Sequence, residues 1–172
     1  PGGTVILNAD NVYVAAMRDK VQEGVRVLTF GLEKSADVKG ADIRTAAGKT
    51  TFAVTYAGET HDYTIAMVGR HNVENALAAI ACGFALSLTP AEIAAGLTHL
   101  EATKMRFEVE HVAGYEVIND AYNASPMSMQ AAIETLAELR KGRKIAVLGD
   151  MLELGPIAKK AHEEVGREVA AH

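Results

Sequence analysis

Three polar clusters in this 172-residue sequence carry side chains that could do chemistry. The first is Gly69-Arg70-His71-Asn72-Val73-Glu74-Asn75, where Asn72 and Asn75 stand three residues apart and share one face of a helix. A side-chain amide donates and accepts at once, which is the pairing an adenine edge demands. The same residues serve a plainer purpose equally well, with Asn72 capping the helix and Asn75 solvated. The second cluster is Asn119-Asp120-Ala121-Tyr122-Asn123-Ala124-Ser125-Pro126, between a strand-like run and a helix start, where open α/β sheets receive ligands. Asp120 could accept from ribose hydroxyls there. In the plainer alternative Asp120 and Asn123 shape the turn while Ser125 caps the helix. The third, Gly149-Asp150-Met151-Leu152-Glu153-Leu154-Gly155, sets two acids in a loop that could hold a cation or simply close. His162 and Glu163 follow on a helix, where an isolated histidine reads as a surface or capping residue.

A fourth stretch is a false lead. Gly48-Lys49-Thr50 resembles the end of a phosphate-binding loop, but the pattern G-x-x-x-x-G-K-[ST] needs glycine at position 43, which is Ile43. A strand follows, not a helix whose N-terminus could face a phosphate. The segment reads as a hairpin turn.

The elements that must position these clusters are α/β in class. Thr4–Asn8 and Val25–Phe30 read as strands, with a short helix over Val12–Val21 between them. Thr51–Tyr56 and Tyr63–Met67 alternate about an Ala57-Gly58 turn and predict a hairpin with one buried face. From Gly69 the period changes: Val73, Leu77, Ile80 and Phe84 form the stripe of a helix over 72–86. Thr89, Pro90 and Glu92 open the next helix as cap, first residue and capping-box partner, with Ile93, Leu97 and Leu100 on its apolar face. Residues 101–106 lose periodicity and mark a boundary, giving domains at 1–104 and 105–172. Arg106 falls at that boundary, where a guanidinium could reach a phosphate. Beyond it come a strand at Tyr115–Asn119 and a helix from Pro126 carrying Met129, Ile133, Leu136 and Leu139. An apolar strand, Ile145–Leu148, reads as buried on both faces, and a last helix begins near Pro156. That order predicts a parallel, Rossmann-like sheet.

Composition narrows the class. The chain is 49% hydrophobic but 5% aromatic without tryptophan, so its core is aliphatic and suits helices packed on a sheet. A net charge of −5 argues against nucleic acid as the partner. No apolar run reaches the roughly 18 residues of a membrane span, and no signal-peptide pattern opens the chain. Cys82, the one cysteine, sits among apolar residues and reads as a small core side chain in a reducing cytoplasm. Pro1 and the run Val165–His172 both fall inside a pattern, so a stretch of something longer is expected.

Taken in order, four segments resemble the Mur ligase family: Gly69-Arg-His-Asn-x-x-Asn-Ala-Leu-Ala-Ala, Met105-Arg106, Asn119-Asp-Ala-Tyr-Asn-Ala-Ser-Pro-x-Ser-Met, and Val147-Leu-Gly-Asp-Met-Leu-Glu-Leu-Gly. The second half of that set looks like the branch that adds D-alanyl-D-alanine, and Leu7-Asn8-Ala9-Asp10 is similar to a segment of the family's central domain. The resemblance implies the C-terminal part of the central ATPase domain followed by the first βαβα of a Rossmann-like C-terminal ligase domain. It implies an ATP-dependent amide ligase that joins D-alanyl-D-alanine to UDP-N-acetylmuramoyl-tripeptide through an acyl phosphate, as a cytoplasmic monomer. Asn72 and Asn75 match asparagines near the adenine, and Asn75 is the better match for direct contact. Arg106 matches a catalytic arginine on the nucleotide phosphate, and Asp120 an aspartate on the ribose. Tyr122 and Asn123 fall in the loop near nucleotide and dipeptide. The family's phosphate-binding loop and Mg2+ ligands are expected upstream of Pro1, so this polypeptide alone is expected to be inactive. Lys104 departs from the glycine or proline common at the hinge. The readings that compete are a folylpolyglutamate-type amide ligase and a non-catalytic Rossmann-like nucleotide-binding module.

Overall fold

Five strands in sequence order form the sheet of the first unit: β1 (Thr4–Asn8), β2 (Arg26–Gly31), β3 (Val38–Ala46), β4 (Lys49–Tyr56) and β5 (Glu59–Ile65). The computed structural model describes residues 2–98, 107–139 and 142–172. Two compact units divide the chain, Pro1–Glu101 and Ala102–His172.

In the first unit β1, β2 and β3 run parallel, and β3, β4 and β5 continue as an antiparallel meander. The hairpin predicted about Ala57-Gly58 is the β4–β5 pair, and Gly48 turns β3 into β4, so Lys49 and Thr50 begin a strand. Strand β3 has no counterpart in the sequence reading. Its alternation is broken by a register shift between Ala41 and Arg44, where Asp42 takes φ 51°, so its side chains do not keep one period. The helix read over Val12–Val21 is a short α1 (Val12–Ala15) capped by Asn11, followed by a 3-10 turn over Ala16–Lys20.

Helix α2 (Arg70–Ala85) lies against the sheet with Val73, Leu77 and Ile80 buried, as their spacing predicts, beside Leu28, Phe52, Val54, Tyr63 and Ile65. It begins two residues earlier than the reading, because Gly69 adopts φ 96° and lets the chain turn in at that point. Cys82 is exposed, which corrects the core assignment: each residue of a helix is turned by about 100° from the one before, and here Ala81 and Gly83 face the core while Cys82 does not. Helix α3 (Pro90–Thr98) starts with the predicted capping box, the Thr89 N–H donating to Glu92 Oε2 at 2.8 Å. Ile93 and Leu97 are buried, and Leu100 lies outside the described residues.

The link from β2 to β3 is six residues long, short for a parallel connection, which ordinarily needs a dozen or more. It suffices because the two strands overlap only at Phe30–Val38 and Gly31–Lys39, so the chain need not travel back along β2. The turn is clamped from both sides. Asp10 accepts from the backbone N–H groups of Leu32 (2.6 Å), Glu33 (3.1 Å) and Lys34 (2.8 Å). Lys39 Nζ donates to the carbonyls of the same three residues at 2.8–2.9 Å. Asp37 closes the far end by accepting from the Thr29 N–H and hydroxyl at 2.8 and 2.6 Å.

The second unit holds a hairpin of β6 (Glu108–Val112) and β7 (Tyr115–Asn119), then α4 (Pro126–Leu139) and α5 (Ala158–Ala171). Strand β6 was missed because its alternating Glu, Val and His are nearly all exposed and carry no apolar face. Ile145–Leu148, read as a doubly buried strand, pairs with no strand among the described residues, and Val147 is 92% exposed. The apolar run was read correctly, but burial needs neighbours that its composition cannot specify. The core here is small: Ile133, Met151, Ala161 and Val165, with Ala124, Met129, Leu154 and Val169 packed around them.

Burial by itself would raise the Asp10 carboxyl, but the Lys34, Leu32 and Glu33 amides and the Lys39 charge outweigh it and hold it below its ordinary 3.8. Its stabilising contribution is therefore complete above 3.8 and disappears as pH falls through the lowered folded-state value. Asp10→Asn should destabilise the first unit by about 2 kcal/mol at pH 7, the scale of hydrogen bonds to a charged group. The gap between the denaturation midpoints of parent and variant should narrow as pH is lowered below 3.8. A Cβ on Gly83 would meet Ile93 Cγ1 at 2.7 Å and Cδ1 at 2.8 Å. Gly83→Ala should therefore cost stability, by about 1 kcal/mol on balance, although alanine favours helix. Urea unfolding of Gly83→Ala with and without Ile93→Ala checks the clash.

Candidate nucleotide-facing sites

In the first unit the candidate residues sit at the start of α2, beside the ends of the parallel strands. The clamped β2–β3 turn presents Glu33, which forms an ion pair with Arg70 at the head of the helix. Arg70 also faces Glu74 one turn on, at 3.6 Å. Burial pushes the Glu74 carboxyl up, against the pull of Arg70, and the charges of Asp10 and Glu33 add to the rise. The helix entrance is thus held by charge to the strand ends.

Asn72 lies in the first turn and donates from Nδ2 to the Val68 carbonyl at 2.8 Å, tying the incoming chain to the helix. It is not the N-cap, a position Gly69 holds without any side-chain hydrogen bond. Asn75, one turn further, is exposed. Of the two amides, then, Asn72 is engaged with the backbone and Asn75 is presented to solvent. His71 is half-buried.

In the second unit the loop between β7 and α4 is built from local polar contacts. The Asn119 side chain accepts from the Ala121 N–H at 3.2 Å, and Asn123 accepts from the Ala124 N–H at 2.9 Å. Ser125 caps α4, as read: its hydroxyl accepts from the Ser128 N–H at 3.2 Å while the Ser125 N–H donates to Ser128 Oγ at 2.9 Å. Serine stands in the capping box where glutamate usually does. Asp120 is half-buried, and its Oδ1 accepts from the Phe107 N–H at 3.0 Å, fixing the end of β7 to the residue before β6. Tyr122 and Asn123 are exposed at the loop tip. Arg106 lies outside the described residues.

The Gly149–Gly155 loop, with Asp150 exposed and Met151 buried, borders a cavity of about 500 Å³ that also touches Met129, His162 and Val165. The sequence reading passed over His162 as a surface or capping residue. It is bonded to the loop at Met151, and only the distance between positions 151 and 162 hid this. Among the described residues no group of three or more His, Cys, Asp or Glu side chains could hold a metal ion. No helix among them is long and apolar enough to cross a membrane.

Comparison with known proteins gives two family matches in order along the chain. The Mur ligase middle domain matches residues 1–83, and the Mur ligase, glutamate ligase domain matches residues 105–172. The UDP-N-acetylmuramoyl-tripeptide–D-alanyl-D-alanine ligase of Bacillus subtilis is 41% identical over 83% of this chain and 31% of its own length. The crystal structure of MurF from Acinetobacter baumannii aligns with a TM-score of 0.91 at 30% identity, over 100% of this chain and 37% of that one. MurF from Thermotoga maritima in complex with ADP aligns with a TM-score of 0.83 at 26% identity, over 98% of this chain and 38% of that one. The chain spans about a third of the length of the curated relatives it matches, 31% and 37% for the first two. With a central-domain match ahead of a C-terminal-domain match, on the two segments whose motifs sequence alone had linked, the chain belongs to the Mur ligase family.

Proposed function

We propose that the parent protein is an ATP-dependent amide ligase that adds D-alanyl-D-alanine to UDP-N-acetylmuramoyl-tripeptide in peptidoglycan synthesis, acting as a cytoplasmic monomer. The observation that carries this reading is the 41% identity to a ligase named for that reaction, together with the Asn119–Met129 and Val147–Gly155 motifs. In the reaction the tripeptide carboxylate takes the terminal phosphoryl group of ATP, giving an acyl phosphate and ADP. The free amine of D-alanyl-D-alanine then attacks the acyl carbon, phosphate leaves, and the amine gives up a proton as the amide forms. Positioning and charge stabilisation are the protein's part in such a transfer.

Within this chain Asn75 would read the adenine, its exposed amide offering a donor and an acceptor side by side. Asn72 supports it by holding the helix entrance. Asp120 keeps one carboxylate oxygen for the ribose hydroxyls while the other holds the Phe107 N–H. Arg106 is assigned to the nucleotide phosphate, where a guanidinium offsets the charge of the transferring group. Tyr122 and Asn123, at the loop tip, are assigned to the nucleotide and incoming dipeptide. Mg2+ would be bound by residues outside this chain.

The test is ADP release by the full-length parent, which should require both the tripeptide precursor and D-alanyl-D-alanine. Release that proceeds equally well without the dipeptide would overturn the assignment. Asn75→Ala and Asp120→Ala should each raise KM for ATP about tenfold, the effect of roughly one lost hydrogen bond to substrate. The 172-residue polypeptide assayed by itself should release no ADP.

A further inference from the structure

In the second unit one hydrogen bond joins the acid-bearing loop to the last helix. His162, on α5, accepts from the Met151 N–H through Nε2 at 3.1 Å. Its other nitrogen, Nδ1, lies 2.8 Å from the Ala158 carbonyl oxygen. A carbonyl oxygen only accepts, so Nδ1 carries the proton, and Nε2, receiving an amide N–H, carries none. The two contacts together define a single neutral tautomer.

Asp150 Oδ1 stands 3.7 Å from the same Nε2, beyond hydrogen-bond reach. An ion pair there belongs to the protonated ring, which has lost the lone pair that holds Met151. The two contacts therefore exclude one another. Among the described residues lining this cavity, Asp150 is the one other charged or titratable side chain; Met129 from α4, Leu148 just before the loop, Met151 within it, and Val165 from α5 are apolar.

Met151 matters beyond its own loop. It is 3% exposed and belongs to the small core on which Ala124 also packs. Ala124 adjoins Asn123, in the loop assigned above to the nucleotide and dipeptide. Met151 and Ala124 thus share one cluster of packed side chains, through which a shift of Met151 reaches that loop.

We propose that His162 is a positioning residue for the ligation: its neutral imidazole anchors Met151, and through the small core that Met151 belongs to and Ala124 packs on, it sets the loop bearing Asp120, Tyr122 and Asn123. Protonation of the ring exchanges that anchor for a contact with Asp150. The assignment to ligation rests on the function proposed above, whereas the anchor itself rests on geometry.

The experiment uses the full-length parent. A long-range proton–nitrogen spectrum of the His162 ring should show the Nδ1-protonated tautomer near neutral pH. Hydrogen exchange at the Met151 amide, corrected for its intrinsic rate, should quicken as pH is lowered and the ring takes up a proton. His162→Ala should speed that exchange about tenfold at pH 7.5, the loss of about one hydrogen bond. His162→Gln, whose Oε1 accepts but does not titrate, should restore slow exchange and abolish its pH dependence. In the ligation assay His162→Ala should raise KM for the dipeptide or ATP about tenfold, and the glutamine variant should recover most of it. An Nε2-protonated ring, or Met151 exchange unchanged in a folded His162→Ala variant, overturns the anchor. Normal KM values in a variant whose Met151 exchange is fast overturn the positioning role. If the alanine variant does not fold, the ring tautomer, the parent's pH dependence and the glutamine variant's kinetics decide the matter. A parent that forms no ADP with both substrates present refutes the ligase reading alone, and the ring and exchange measurements still stand.

Discussion

The arrangement of the first unit depends on closing a six-residue link between two parallel strands. The link closes because an anion and a cation grip opposite sides of one turn, Asp10 on its N–H groups and Lys39 on its carbonyls. Neither residue could do this alone. Asp10 leaves three carbonyls needing donors, and Lys39 leaves three amides needing an acceptor, and unmet backbone groups are costly wherever water is excluded. With both present the turn is satisfied and β3 can begin beside the end of β2.

The clamp then propagates. It fixes Glu33, Glu33 holds Arg70, and Arg70 stands at the entrance of α2 with Asn72 in the same turn and Asn75 in the next. The second unit reaches a comparable result by different means. Its loop between β7 and α4 is shaped by short-range side-chain contacts, the serine capping box and the Asp120–Phe107 bond. Each unit thus presents its polar residues from a helix start whose geometry is set by charge or by capping, while the apolar core supplies the platform.

What the sequence disclosed follows the range of the interactions. The capping box at Thr89 and Glu92, the apolar stripe Val73–Leu77–Ile80 and the Ala57-Gly58 hairpin each act over a few residues, so spacing reveals them. The candidate polar residues were found for the same reason, as dense clusters beside helix starts. The Asp10 clamp spans more than twenty positions and the His162–Met151 bond eleven, and no local pattern marks either. Strand β3 was hidden by its register shift, and β6 by its lack of an apolar face. Cys82 and Ile145–Leu148 show the complementary limit. Apolar surroundings in sequence say that a residue tolerates burial, and only the neighbours in space determine whether it is buried.

The exposed Cys82 has a practical consequence. It is the chain's single cysteine and sits seven residues beyond Asn75 on α2. Seven residues are close to two turns, so the two side chains lie on the same face, roughly 10 Å apart along the helix axis. The helix therefore carries a thiol handle that accepts one dye without engineering, near the amide assigned to adenine but outside its contact range. Fluorescence from that position offers a direct optical readout of what happens at the α2 entrance.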